Sequence, residues 1–79
     1  FKNLAKEIME YINLIKQKNT KMNFKDFKKN LFKINIYKID YIEIRDESTL
    51  EITDDFSNAR LFVALYIDEI RIIDNFKLF

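Results

Sequence analysis

Apolar residues recur near the start of the chain at Phe1, Leu4, Ile8, Tyr11, Ile12 and Ile15, the three-and-four spacing of one helix face. Lys2, Lys6, Glu10 and Asn13 fall off that face. Lys16 and Lys18 would sit in the last turn, where positive charge suits the helix dipole, and Asn19 suits the left-handed position after it. The spacing predicts a helix from Phe1 to about Lys18. A second helix is expected from Asn23, whose side chain can cap the free amides. Asp26 would lie at the third helical position, and Met22 and Phe27 would staple the cap. Phe24, Phe27, Leu31 and Ile34 form its apolar stripe, with Lys25, Lys28, Lys29 and Lys33 outside.

The period then changes. From Ile39 to Arg45 alternate residues differ, with Ile42 and Ile44 on one side and Tyr41, Glu43 and Arg45 on the other, as in a strand with one wet face. "DESTLEITDDFSN" is turn-forming and acidic, with Leu50 and Ile52 as candidate anchors. Leu61 to Ile67 is a near-continuous apolar run, as in a central strand. Ile70 to Phe76 is a third strand, and Asp68-Glu69 joins the last two as a tight hairpin. The pattern predicts an α+β fold of order ααβββ, two N-terminal helices packed on one face of a three-stranded antiparallel sheet.

Composition adds mostly exclusions. Seventy-nine residues make one domain, and 48% hydrophobic with 15% aromatic residues is enough for a packed core. With no histidine, cysteine or glycine, the chain lacks an imidazole base, a thiol nucleophile, a His/Cys metal site and the glycine loops that cradle phosphate. Carboxylates, lysines and tyrosines remain for acid–base work, so an independent enzyme is not expected. No apolar run reaches the roughly 18 residues of a membrane span. No signal peptide opens the chain, and the expectation is a soluble, cytoplasmic protein. The first residue is Phe1, as in a fragment or a processed product. The abundance of lysine, isoleucine and asparagine reads as the codon bias of an AT-rich genome.

Charge is split along the chain. Residues 1–38 carry ten lysines against Glu7, Glu10 and Asp26, a net of +7, while residues 39–79 carry four basic and ten acidic side chains, a net of −6. Such asymmetry suits a nucleic-acid footprint. The basic half contains no arginine, however, and its lysines fall on the solvent faces of two amphipathic helices; the solvated-face reading is preferred. The acidic pairs Asp46-Glu47, Asp54-Asp55 and Asp68-Glu69 lie in expected turns, where Asp caps its own backbone, and are read as turns in preference to metal or paired-carboxylate chemistry. The phenylalanines and tyrosines are assigned to the core; base stacking would need exposed aromatics on the sheet.

Two ordered segments resemble the C-terminal domain of pantothenate synthetases (pantoate–β-alanine ligases). "IDYIEIRDESTLE", Ile39 to Glu51, is similar to that family's Asp-Tyr-Val-Glu-Ile-x-Asp-x-x-Thr-Leu strand and turn. "ARLFVALYIDEIRIIDN", Ala59 to Asn75, resembles the family's hairpin ending in Arg-Leu-Ile-Asp-Asn. Arg71, Ile73, Asp74 and Asn75 carry the strongest match. By alternation Arg71, Ile73 and Asn75 share one face and Ile70, Ile72 and Asp74 the other. A structural role is expected for them, with Arg71 paired to Glu43 or another strand carboxylate and Asp74 or Asn75 tying off backbone. Where the family commonly has Gly in the hairpin, this chain has Asp68.

The resemblance implies a lid over the ATP site of an enzyme that joins (R)-pantoate to β-alanine with ATP and Mg²⁺ through pantoyl adenylate. It implies a Rossmann-like N-terminal domain as partner, carrying a His-x-Gly-His motif and a Ser-Arg segment expected just upstream of Phe1, and a homodimeric full enzyme. No catalytic, substrate-binding or metal residue, and no bound cofactor, is carried onto this chain, which is expected to be inactive alone; whether it is a monomer or a non-native dimer through uncovered apolar surface is left open by the sequence. The rival reading is a standalone, basic-faced nucleic-acid- or protein-binding module.

Overall fold

The computed structural model describes residues 2–18 and 24–78. Two helices, α1 (Lys2–Lys18) and α2 (Phe24–Phe32), precede three strands, β1 (Ile36–Asp46), β2 (Ala59–Ile67) and β3 (Ile70–Lys77). The strands form one antiparallel sheet of order β1-β2-β3. This is the expected ααβββ arrangement. Phe1, the cap residues Asn19 and Asn23 and the staple residue Met22 lie outside the described residues, as do the side chains of Lys18 and Phe24.

The helix stripe is buried as its spacing predicts. Leu4, Ile8, Tyr11, Ile12 and Ile15 of α1 join Phe27 and Leu31 of α2 in one core with Ile36, Ile42 and Ile44 of β1 and Leu61, Val63 and Leu65 of β2. The Tyr11 and Phe27 rings stack with centroids 4.1 Å apart, fastening α1 to α2. Desolvation in that contact pushes the Tyr11 phenol well above its ordinary pKa. The second helix ends before Ile34, which is half-buried in the following turn, not on the helix. Its last carbonyls are taken by tightened bonds, with Ile34 N donating to Leu31 O at 3.0 Å.

β1 is longer than its sequence alternation indicates. The core-facing isoleucines run Ile36, Ile39, Ile42, Ile44, and a spacing of three would turn every other one to solvent in a regular strand. Two register shifts, between Ile36 and Lys38 and between Ile39 and Tyr41, absorb one residue each and keep all four inward.

A chain without glycine must place other residues at positive φ. It does so at Asn35 (73°), Leu50 (63°) and Asp68 (53°). Asn and Asp tolerate that region. Asp68 opens the two-residue Ile67–Ile70 hairpin at positive φ. Leu50 and Ile52 do not anchor the loop: both are more than half exposed. The loop is held instead by Phe56, buried in a 3₁₀ turn over Phe56–Asn58, and by backbone bonds. Backbone bonding serves here because "DESTLE" offers more capping oxygens than apolar surface.

Candidate functional site: the open face of the sheet

Both helices cover one face of the sheet and leave the other open. Register fixes what stands on it. Tyr41, Ala64 and Ile73 form one row, Glu43, Phe62 and Asn75 the next, and Arg45, Arg60 and Lys77 the last. At the hairpin end Lys38, Tyr66 and Arg71 make a fourth. All three arginines of the chain therefore lie on this face. So does Lys77, which completes the basic residues of the acidic half.

Each guanidinium is engaged. Arg71 Nε donates to Asp40 Oδ2 at 2.9 Å, reaching across β2 to the bulged part of β1. That bond raises the Arg71 pKa further. The partner is thus Asp40, not Glu43, because the bulge turns the Asp40 carboxylate toward this face. Lys38 Nζ lies 3.8 Å from the same carboxylate and 5.2 Å from the centre of the Tyr66 ring. Glu43 is held by Arg45 Nη2 at 3.2 Å. Arg45 Nη1 donates to the carbonyl of Leu50 at 2.6 Å, bracing the residue whose backbone is strained. Arg60 ties the far end of the sheet: Nε donates to Glu47 Oε1 at 2.8 Å and Nη1 to Asn75 Oδ1 at 2.9 Å.

The residues singled out from sequence divide by face as their alternation requires. Arg71, Ile73 and Asn75 stand on the open face, where Ile73 is 60% exposed. Asp74 belongs to the helix side, and its Oδ1 accepts the amide of Asn75 at 2.8 Å.

The acidic pairs behave as turn residues. Asp46 Oδ1 accepts the amides of Thr49 and Ser48, at 2.9 and 2.8 Å, and these bonds hold its pKa below the ordinary carboxylate value. Asp55 accepts the Ser57 hydroxyl at 2.7 Å and its amide at 3.2 Å, with the same downward effect. Among the described residues no group of three carboxylates is placed to hold a metal ion, and no helix is long and apolar enough to cross a membrane.

The aromatic assignment needs correction. Tyr11, Phe27 and Phe56 are core, but Tyr41, Phe62 and Tyr66 are half-buried on the open face and Tyr37 is exposed against Tyr66, with ring centroids 5.9 Å apart. A shallow hollow of about 330 Å³, lined by Tyr41, Glu43, Arg45, Leu50 and Phe62, lies among them. The alternation Arg60-x-Phe62-x-Ala64-x-Tyr66 was the available signal. It is masked because the interleaved residues are also apolar.

The sequence model of the family described as Pantoate-beta-alanine ligase matches residues 2–77. A curated pantothenate synthetase from Anaplasma marginale (strain St. Maries) is 45% identical over 40 residues, which cover 49% of this chain and 14% of that protein. No solved structure matches.

Proposed function

Because the chain belongs to the pantoate–β-alanine ligase family, we propose that it is the C-terminal lid domain of a pantothenate synthetase. The family match over residues 2–77 carries this reading. The aligned segment spans only 14% of the curated relative's length, so the activity is assigned to the larger enzyme. In that enzyme pantoate is adenylated with loss of pyrophosphate, and the amine of β-alanine then displaces AMP. ATP and Mg²⁺ are expected on the N-terminal Rossmann-like domain. The carboxylates on the open face here do not suit Mg²⁺, since Asp40, Glu43 and Glu47 are each already paired with a guanidinium.

The contribution of this domain is gating. A closed lid excludes water from a reactive acyl adenylate, which otherwise partitions to hydrolysis. The 79-residue chain given ATP, Mg²⁺ and pantoate should release no pyrophosphate. The full-length enzyme lacking this domain should form AMP with little matching pantothenate. Turnover by the isolated chain, or tight coupling of AMP to pantothenate in the truncated enzyme, would overturn the assignment.

One observation favours a second reading. Arg45, Arg60 and Arg71 share the open face with half-exposed Tyr41, Phe62 and Tyr66, the residue types that bind single-stranded nucleic acid. Phosphate contacts weaken steeply with salt. Absence of RNA or single-stranded DNA binding at about 50 mM salt removes this alternative.

A further inference from the structure

The two edges of the sheet are protected unequally. β1 carries two bulges in its first half. Its last residues receive the returning loop: Asp46 N donates to Glu51 O at 2.8 Å and Thr53 N to Ile44 O at 3.1 Å. Bulges and covering segments are two ways in which proteins keep edge strands from pairing with other chains. β3 has neither. It runs in unbroken register with β2 from Ile67↔Ile70 to Arg60↔Lys77 and ends the sheet.

The sequence of β3 also suits a copy of itself. In an antiparallel β3–β3 pair centred on Ile73, Ile70 meets Phe76 and Arg71 meets Asn75. Glu69 in the turn meets Lys77, so each end closes on opposite charges. The one misfit is Asp74, which falls opposite Ile72. Its register partner Val63 is fully buried, which places Asp74 on the helix side. There it lines an open apolar groove of about 240 Å³ with Leu4, Ala5, Ile8, Ile72 and Phe76. Its carboxylate also holds the Asn75 amide.

We propose that Asp74 guards the β3 edge against strand addition by a second copy of this chain. An incoming strand would have to desolvate the carboxylate against Ile72 in an apolar groove, without a counter-charge, and take the Asn75 amide from it. Inward-pointing charges on edge strands act in this way. This role accounts for an aspartate on a strand face that otherwise carries Ile70, Ile72 and Phe76, and it stands independently of the ligase reading.

The test is the mass of the 79-residue chain by sedimentation velocity, from micromolar to millimolar concentration, with circular dichroism to verify folding. The wild type should remain a monomer. Asp74→Ala should dimerise at least about tenfold more tightly, and Asp74→Asn, which removes charge at constant size, should shift in the same direction. Adding Ile70→Lys to Asp74→Ala restores an inward charge on the same strand face and should restore the monomer. Asp54→Ala, an equal charge change in the loop, should leave the mass unchanged. The proposal fails if both Asp74 variants stay monomeric, if Ile70→Lys does not rescue, if Asp54→Ala associates equally, or if the wild type is already a dimer through β3.

Discussion

Leu65 and Ile73 lie on neighbouring strands and opposite sheet faces, and replacing each in turn tests which face the helices cover. Leu65 is fully buried on the central strand, while Ile73 is 60% exposed. Truncating Leu65 to Ala removes three carbons, about 2.4 kcal/mol of transfer free energy at about 0.8 kcal/mol per methylene. The remaining cavity raises the cost to about 3–5 kcal/mol. A domain of this size is stable by about 4–12 kcal/mol, at roughly 0.05–0.15 kcal/mol per residue. Leu65→Ala should therefore remove about a quarter or more of the total. Ile73→Thr keeps a β-branched residue and should change stability by no more than about 0.5 kcal/mol. Urea unfolding of the 79-residue chain, followed by circular dichroism, reads both, with the slope showing that the exposed surface is unchanged. A one-residue slip of β3 against β2 would exchange Ile72 and Ile73 between faces. A cost above about 2 kcal/mol for Ile73→Thr, or below about 1 kcal/mol for Leu65→Ala, would refute the register and the open face.

Asn75→Ala removes the acceptor of Arg60 Nη1 and should lower stability by about 0.5–1.5 kcal/mol. In the full-length ligase it should leave the KM for ATP unchanged, and the reverse pattern would make Asn75 a ligand residue. The folded-state pKa of Asp46 lies below its unfolded value because the Thr49 and Ser48 amides favour the carboxylate. Its stabilisation is accordingly complete above the ordinary carboxylate pKa and is lost as pH falls through the lowered folded value. Asp46→Asn should therefore flatten the acid limb of a urea-midpoint-against-pH curve, and an unchanged limb would contradict the capping role. Leu50→Asn should raise stability by about 0.5 kcal/mol in urea melts, since asparagine takes positive φ more readily than leucine. A loss of more than about 1 kcal/mol would show that the exposed Leu50 side chain packs usefully on Tyr41 and Phe62.

Much of the fold is determined locally and so was legible in the chain. The buried stripe of α1, the inward Ile42 and Ile44, the Asp68-Glu69 hairpin and the split of Arg71, Ile73 and Asn75 from Ile72 and Asp74 all follow from periods of 3.6 and 2. Those periods act over a few residues and need no partner. The sequence also excluded imidazole, thiol and glycine-loop chemistry, because a missing residue type is missing in any fold.

Tertiary structure decided the rest. Two bulges, visible only once β1 is laid beside β2, bring Ile36 and Ile39 inward and turn Asp40 toward Arg71. Leu50 and Ile52 look like anchors by hydropathy, yet the loop closes on Phe56 and on its own amides, leaving both exposed. The gathering of Arg45, Arg60 and Arg71 with Tyr41, Phe62 and Tyr66 on one uncovered face depends on three strands sharing a register. Local periodicity says that a residue has a side; only the packing of helices on the sheet says which side meets water.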